Sequence, residues 1–315
     1  MKKVVVTGGA GFIGSHLAEE LVARGYRVTI LDDLSTGKLE NINGLLKEGN
    51  VEFVQGSITD PALLQKLFQS AEYVFHQAAL TQIPSSIEDP VTTNEVNLVG
   101  TLKVLIAARE NKVKKVIYAS SSSVYGNTPT IPQTEDMPPD PLSPYALTKL
   151  AGEYYCHIFH QMYGLPTVSL RYFNIYGLRQ DALSTYASVI PVFLDRISQN
   201  LPPVIFGDGN QSRDFTFVKD VVRANVLAAE NNIYGTYNIG SGHNITINQL
   251  VQTILQLMQK NLASVYKEAR PGEIRHSLAD IARAKSFGYE PGWTLEEGLT
   301  EIIKSAAKKR AGSNS

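Results

Sequence analysis

Val4-Val5-Val6-Thr7-Gly8-Gly9-Ala10-Gly11-Phe12-Ile13-Gly14 is the stretch that decides the fold. Three apolar β-branched residues run into a threonine and then into glycines spaced Gly-x-x-Gly-x-x-Gly. A strand buried in a parallel sheet reads as such a continuous apolar run. Glycines at its end let the backbone turn tightly and bring the amides of a helix N-terminus against a pyrophosphate. The spacing therefore predicts a strand over 3–7, a phosphate-binding turn at Gly8, Gly11 and Gly14, and a helix over 11–24.

Asp32 stands 18 residues past Gly14, at the end of a second predicted strand over 27–32. A carboxylate there can accept hydrogen bonds from the adenosine ribose hydroxyls of a dinucleotide. It also repels a 2′-phosphate, and Asp33-Leu34-Ser35-Thr36-Gly37 holds no arginine to bind one, so the charge argues for NAD over NADP. Further strands over 51–55, 73–77, 115–120 and 167–173 alternate with helices over 61–69, 91–110 and 143–163, the rhythm of strand-helix-strand units. Val99, Leu102 and Ile106, and Tyr154, Ile158 and Met162, recur at helical spacing and are expected to bury one face in the core. Gly56-Ser57-Ile58 and His76-Gln77-Ala78-Ala79 follow the third and fourth strands, at the ends that face the crevice in such sheets.

After Tyr176 the rhythm breaks, and Pro191, Pro202, Pro203, Pro271 and Pro291 punctuate shorter segments. The expected fold class is α/β: a Rossmann-type doubly wound parallel sheet with a smaller, mixed α/β substrate-binding lobe. The expected division is 1–176 and 177–315, with some later segments returning to the first part. With 29 basic against 30 acidic side chains in 315 residues, the chain lacks the cationic surplus of a nucleic-acid or anionic-membrane binder. The single cysteine, Cys156, excludes an internal disulfide and a cysteine-cluster metal site, and is expected to pack within a helix. No apolar run reaches the length of a membrane span, so the expected location is cytoplasmic. The six histidines show no ligand spacing, and no metal is expected.

Tyr145 and Lys149 are four residues apart at the start of a helix, so both project from one face. An ammonium held near a phenol lowers its pKa and lets the tyrosinate act as a general base toward a hydroxyl. The run Ser120-Ser121-Ser122-Ser123, after the fifth strand, places a further hydroxyl in the same order along the chain.

Taken in order, residues 7–14, 32–37, 76–80, 120–126, 143–149, 171–177, 207–220 and 270–280 resemble the extended short-chain dehydrogenase/reductases, and within them the UDP-sugar 4-epimerases. The resemblance implies an enzyme with tightly bound NAD in which Ser121, Tyr145 and Lys149 are catalytic. Tyr145 would take the proton of the sugar 4-hydroxyl while the C4 hydride passes to NAD; the 4-keto sugar would then turn and take it back on its other face. It implies cofactor contacts from Gly8, Gly11, Phe12, Ile13, Asp32, Asp33, Ser35, Thr36, Gly37, Ser57, Ile58, Gln77, Ala78, Ala79, Asn97, Tyr145, Lys149 and Tyr172. Substrate contacts are implied for Thr81, Gln82, Ser121, Ser122, Tyr145, Asn174, Val189, Val204, Phe206, Arg213, Arg270, Glu273 and Ser277, with the two arginines on the diphosphate.

Dehydratases on this scaffold carry an acid pair where this chain has Ser122 and Ser123, which favours simple epimerisation. By the same resemblance Ser277 corresponds to a wall position that is a large tyrosine in epimerases restricted to UDP-glucose and UDP-galactose, which implies room for an N-acetyl group. The resemblance is strongest to epimerases of UDP-N-acetylglucosamine, through Gln77-Ala78-Ala79-Leu80, Ser143-Pro144-Tyr145-Ala146 and Arg275-His276-Ser277. The alternatives are an epimerase of UDP-glucuronate, with Arg179 as carboxylate partner, and a non-catalytic NAD-binding regulator. Ser57 and Thr81 depart from the aspartate and lysine that many relatives place there. The helices over 91–110 and 143–163 resemble those that form a four-helix homodimer interface in this family.

Overall fold

A computed structural model describes residues 1–181, 188–269 and 274–312, with side chains described up to Ala307. The first half comprises β1 (Lys3–Thr7), α1 (Phe12–Ala23), β2 (Arg27–Asp32), β3 (Val51–Gln55), α2 (Pro61–Phe68), β4 (Ala71–His76), α3 (Ile83–Glu88), α4 (Pro90–Asn94), α5 (Gly100–Glu110), β5 (Lys115–Ser121), α6 (Pro144–Tyr163) and β6 (Thr167–Tyr172). There follow β7 (Ile175–Tyr176), α7 (Val189–Ser198), β8 (Val204–Phe206), β9 (Ser212–Arg213), β10 (Thr216–Phe217), α8 (Val218–Glu230), β11 (Gly235–Ile239), β12 (Ile245–Thr246), α9 (Ile247–Leu257), β13 (Val265–Lys267), α10 (Ala282–Lys285) and α11 (Leu295–Gly312).

Seven strands form one parallel sheet in the order β11-β6-β5-β4-β1-β2-β3. The order reverses direction between β1 and β4, the place where an open α/β sheet leaves its ligand crevice. Val4, Val5 and Val6 are fully buried, as the continuous apolar run requires. One face of the sheet packs on Leu17 and Leu21 of α1 and Val221 of α8. The other packs on Leu64 and Phe68 of α2, Val104 and Leu105 of α5, and Phe159 of α6. A separate core gathers Phe193, Ile205, Phe217, Leu250 and Ile254, around which β7–β10, β9–β12 and β8–β13 pair as short two-stranded sheets.

Local chemistry fixes the element that matters most for the site. Ser143 caps α6 by accepting from the Ala146 amide at 3.1 Å, Pro144 fills the first turn, and Gly164 ends the helix at φ 66°. Three expectations need correction. The helix over 91–110 is interrupted by a π-helical stretch, Glu95–Val99, where Asn97 turns inward. No strand is expected over 235–239, yet β11 forms the sheet edge there, because five residues after a helix carry too short an alternation to stand out. Tyr154, Ile158 and Met162 are exposed, since α6 turns Leu150, Cys156 and Phe159 to the sheet instead. Cys156 does pack in α6, and burial pushes its thiol up to about 12.

Candidate active site

At the switch point, Gly8 adopts φ +67°, and a Cβ there would lie 2.7 Å from the Ala78 amide nitrogen. A Cβ on Gly14 would overlap the Gly8 carbonyl oxygen. The two glycines therefore let the loop after β1, the first turn of α1 and the loop after β4 close on one another. Asp32 is buried at the end of β2, its two oxygens accepting from the Ala10 and Leu34 amides at 2.9 Å each. Burial is the largest influence on its carboxyl and raises it, with those amides pulling it back. Asp33 accepts from the Ser35 amide and hydroxyl, Thr36 is exposed, and Gly37 lies so close to Asp32 that a Cβ would come within 2.6 Å of Oδ1. Phe12 and Ile13 pack at the start of α1, Ile58 is buried, and the Ser57 hydroxyl pairs with Thr59 at 2.9 Å. An amide-lined glycine cradle with a carboxylate at its far end fits a dinucleotide pyrophosphate and ribose.

Tyr145 and Lys149 project from the first two turns of α6 toward the end of β5. Lys149 donates from Nζ to the Ala119 carbonyl at 2.8 Å and stands 5.9 Å from the Tyr145 ring centroid and 5.2 Å from that of Tyr118. Burial brings its ammonium down to about 7. Burial also raises the Tyr145 phenol, and the Ser121 hydroxyl is the group that draws it back. The direction for Tyr145 is thus opposite to the expected lowering by Lys149, because its own burial is the largest influence on it. Ser121 caps the short turn that carries Ser122, accepting from the Ser123 amide at 3.1 Å. Glu153, one turn beyond Lys149, pairs with Arg171 at 2.7 Å and accepts from Ser120, pinning α6 onto β5 and β6.

Asn97, a cofactor contact by resemblance, clamps the loop after β4 with its side chain: it accepts from the Leu80 amide and donates to the Leu80 carbonyl, both at 2.8 Å. It also reaches Thr148, whose hydroxyl donates to the Tyr145 carbonyl at 2.8 Å. Thr101 donates its hydroxyl proton to the Asn97 carbonyl, so it accepts from His76 Nε2, and Thr7 then donates to His76 Nδ1 at 2.7 Å. Burial drives His76 down to about 3, and the imidazole is neutral structural packing. Gln77, Tyr172 and Asn225 close a triangle of hydrogen bonds at 3.2, 2.8 and 3.0 Å beside Ala78 and Ala79. Thr7, Thr101, Thr148 and Asn225 escaped sequence reading because each acts through a partner on another element.

On the other side, Asn174, at φ +37°, donates to the Asp214 carbonyl at 3.0 Å and to the Ser277 hydroxyl at 3.4 Å. Ser277 is buried, and its amide donates to the Ser212 carbonyl. Asp214, unforeseen, accepts from Ser241, Gly242 and Ala279 amides and holds these segments together. Val204 and Phe206 lie on β8, Val189 opens α7, and Arg213 lies on β9 with Nη1 donating to the Ser212 carbonyl. Thr81 is exposed just before α3, which Gln82 precedes as N-cap. Arg270 and Glu273 lie outside the described residues. Arg179 turns away from this group and pairs with Glu19 of α1 at 2.7 Å. Among the described residues no cluster of three or more His, Cys, Asp or Glu could hold a metal ion, and no helix is long and apolar enough to cross a membrane.

Fold and site together define a dinucleotide-dependent enzyme scaffold with a Ser-Tyr-Lys group at the sheet's carboxyl edge. The model of the NAD dependent epimerase/dehydratase family matches residues 4–240, and the chain belongs to that family. It is 43% identical to the UDP-N-acetylglucosamine 4-epimerase from Methanobrevibacter ruminantium M1, solved in complex with UDP-N-acetylmuramic acid, with a TM-score of 0.95 over 98% of this chain and 99% of that one. It is 37% identical to the UDP-glucose 4-epimerase of Mycolicibacterium smegmatis, over 96% of this chain and 97% of the relative. The UDP-glucuronic acid 4-epimerase from Bacillus cereus, solved with UDP-glucuronic acid and NAD, is 34% identical with a TM-score of 0.89, covering 96% and 99% of the two chains.

Proposed function

We propose that this protein is a UDP-sugar 4-epimerase with retained NAD that interconverts UDP-N-acetylglucosamine and UDP-N-acetylgalactosamine, with UDP-glucose and UDP-galactose as further substrates. The observation that carries the reading is Tyr145 beside Ser121 and one turn before Lys149, on the sheet edge where the glycine loop and the loop after β4 meet. NAD, held by the Gly8–Gly14 turn, Asp32 and Lys149, supplies a reversible acceptor for the hydrogen on C4. Tyr145 takes the proton of the 4-hydroxyl and later returns it to the same oxygen, while Ser121 hydrogen-bonds that oxygen and Lys149, when charged, favours the tyrosinate. Because Tyr145 stands above its ordinary value and burial brings the Lys149 ammonium down to about 7, the pairing of tyrosinate with charged lysine grows as pH rises toward neutral and stops growing once Lys149 loses its proton, so turnover is expected to rise from acid pH and level off near neutral.

The acetamido reading is supported by Ser277, a buried small residue 3.4 Å from Asn174, and by the relative named for UDP-N-acetylglucosamine. Arg179 pairs with Glu19, so the glucuronate alternative requires it to exchange that partner for the uronate carboxylate. We read residues 1–176 as mainly the cofactor-binding part and 177–315 as mainly the sugar-binding part. A homodimer is supported by Leu147, Tyr154, Ile158 and Met162, which form an exposed stripe on α6 beside exposed Ile87 and Val91. The test is proton NMR of UDP-N-acetylglucosamine incubated with purified protein and no added cofactor. Appearance of the galacto anomeric signal is expected; conversion of UDP-glucose or UDP-glucuronate alone would refute the reading of Ser277, and no conversion of any of them would refute epimerisation.

A further inference from the structure

Residues 177–181 leave β7 and bridge two elements that flank the dinucleotide cradle, α1 and the loop after β2. Gly177 is wedged between α8 and α1: a Cβ there would come 2.5 Å from Val218 and 3.2 Å from Phe12, the first residue of α1. Burial keeps His16 below the ordinary histidine range, so the neutral ring donates from Nε2 to the Leu178 carbonyl at 3.0 Å. Arg179 is held at φ +67°, a backbone conformation uncommon outside glycine, and its guanidinium pairs with Glu19 of α1 at 2.7 Å. Asp181 pairs with Lys38 at 2.8 Å. Lys38 directly follows Gly37 in the loop beside Asp32, and its amide donates to the Ala10 carbonyl of the glycine loop at 3.0 Å. The segment is therefore tied to the first two turns of α1 through His16 and Glu19, and to the loop beside Asp32 through Lys38.

We propose that residues 177–181 form a clasp over the cradle, fastened by Arg179–Glu19 and Asp181–Lys38, that sets how long NAD stays bound. The proposal rests on the NAD-dependent epimerase reading above. In a reaction without net oxidation the cofactor must outlast every half-reaction, since its loss midway strands an oxidised sugar. Backbone strain at Arg179 fits this role, because a strained residue persists only where its surroundings overdetermine it. Both ion pairs are partly solvent-exposed, so they can be opened without disturbing the core.

The experiment measures NAD release from purified protein by trapping it with an excess of an NAD-linked alcohol dehydrogenase and ethanol, each released molecule appearing as NADH absorbance. Lys38→Gln, Asp181→Asn and Glu19→Gln should each speed release about threefold, the size of effect a partly exposed ion pair supports. Lys38→Gln combined with Asp181→Asn should be no faster than either alone, and the exchange Lys38→Asp with Asp181→Lys should return the rate to within about twofold of the unmodified protein. Unchanged release in the single variants, or multiplicative effects with no recovery on exchange, would overturn the clasp while leaving the epimerase reading intact. A protein that neither carries NAD nor binds it when added would overturn that reading, and the clasp with it.

Discussion

At the dinucleotide end of the site, Gly8, Ala10, Gly14, Asp32 and Gly37 touch one another along a single stretch of β-α-β chain. At the sugar end, Asn174 and Ser277 meet across 103 residues, held by Asp214, whose own partners lie at Ser241, Gly242 and Ala279. The first end is shaped by the absence of side chains, with atoms that would collide if glycine were replaced. The second is shaped by polar side chains gathered from separate loops. An anion cradle demands backbone amides at close approach, which short-range sequence can supply; a sugar wall demands shape, which long-range contacts supply.

Four substitutions sharpen or break this contrast. The largest effect is expected between the two ends, at the reacting group: Tyr145→Phe should lower kcat by about 10²-fold or more while NAD remains bound, from loss of general-base catalysis. Turnover unchanged from the parent protein would remove Tyr145 from the mechanism. Ser277→Tyr tests the sugar end, and should shift the ratio of UDP-N-acetylglucosamine to UDP-glucose turnover by about 10²-fold against the acetylated sugar; an equal fall for both would show that the wall acts only through packing. Gly14→Ala tests the cradle: overlap with the Gly8 carbonyl should cost about 1–3 kcal/mol of stability and lower the NAD content of the purified protein. Native cofactor content and an unshifted denaturant midpoint would contradict the packing argument.

The smallest effect at neutral pH concerns His76, whose folded value of about 3 lies below its unfolded value near 6.5. Between those values the unfolded chain binds a proton that the folded one refuses. The stability contributed by this buried neutral ring is therefore full above about pH 6.5 and is lost as the pH falls toward 3. His76→Gln should flatten the acid limb of the stability profile measured by denaturant midpoint; an unchanged slope would show that other groups set it.

The same contrast explains what could be read in advance. The strands β1 and β2 were legible to the residue, because buried apolar runs ending before glycine or in aspartate leave few alternatives, and β3 because Val51, Phe53 and Val54 stop at Gly56. The sugar-side residues could be named only by resemblance, and their mutual contacts, such as the Asp214 knot, have no local signature. The π-helical turn at Asn97 has no local signature, and the partner its side chain meets, Leu80, lies 17 residues away. The exposed stripe on α6 was read as core because that helix carries apolar residues on two faces, and spacing alone does not say which one meets the sheet.

The central claim is that the hydrogen on C4 leaves and returns within the site while Tyr145 handles only the proton on oxygen. UDP-N-acetylglucosamine carrying deuterium at C4, converted in ordinary water and read by NMR and mass spectrometry, tests this directly. UDP-N-acetylgalactosamine with the deuterium retained at C4 is expected; replacement of the deuterium by hydrogen from water would rule out hydride return within the site.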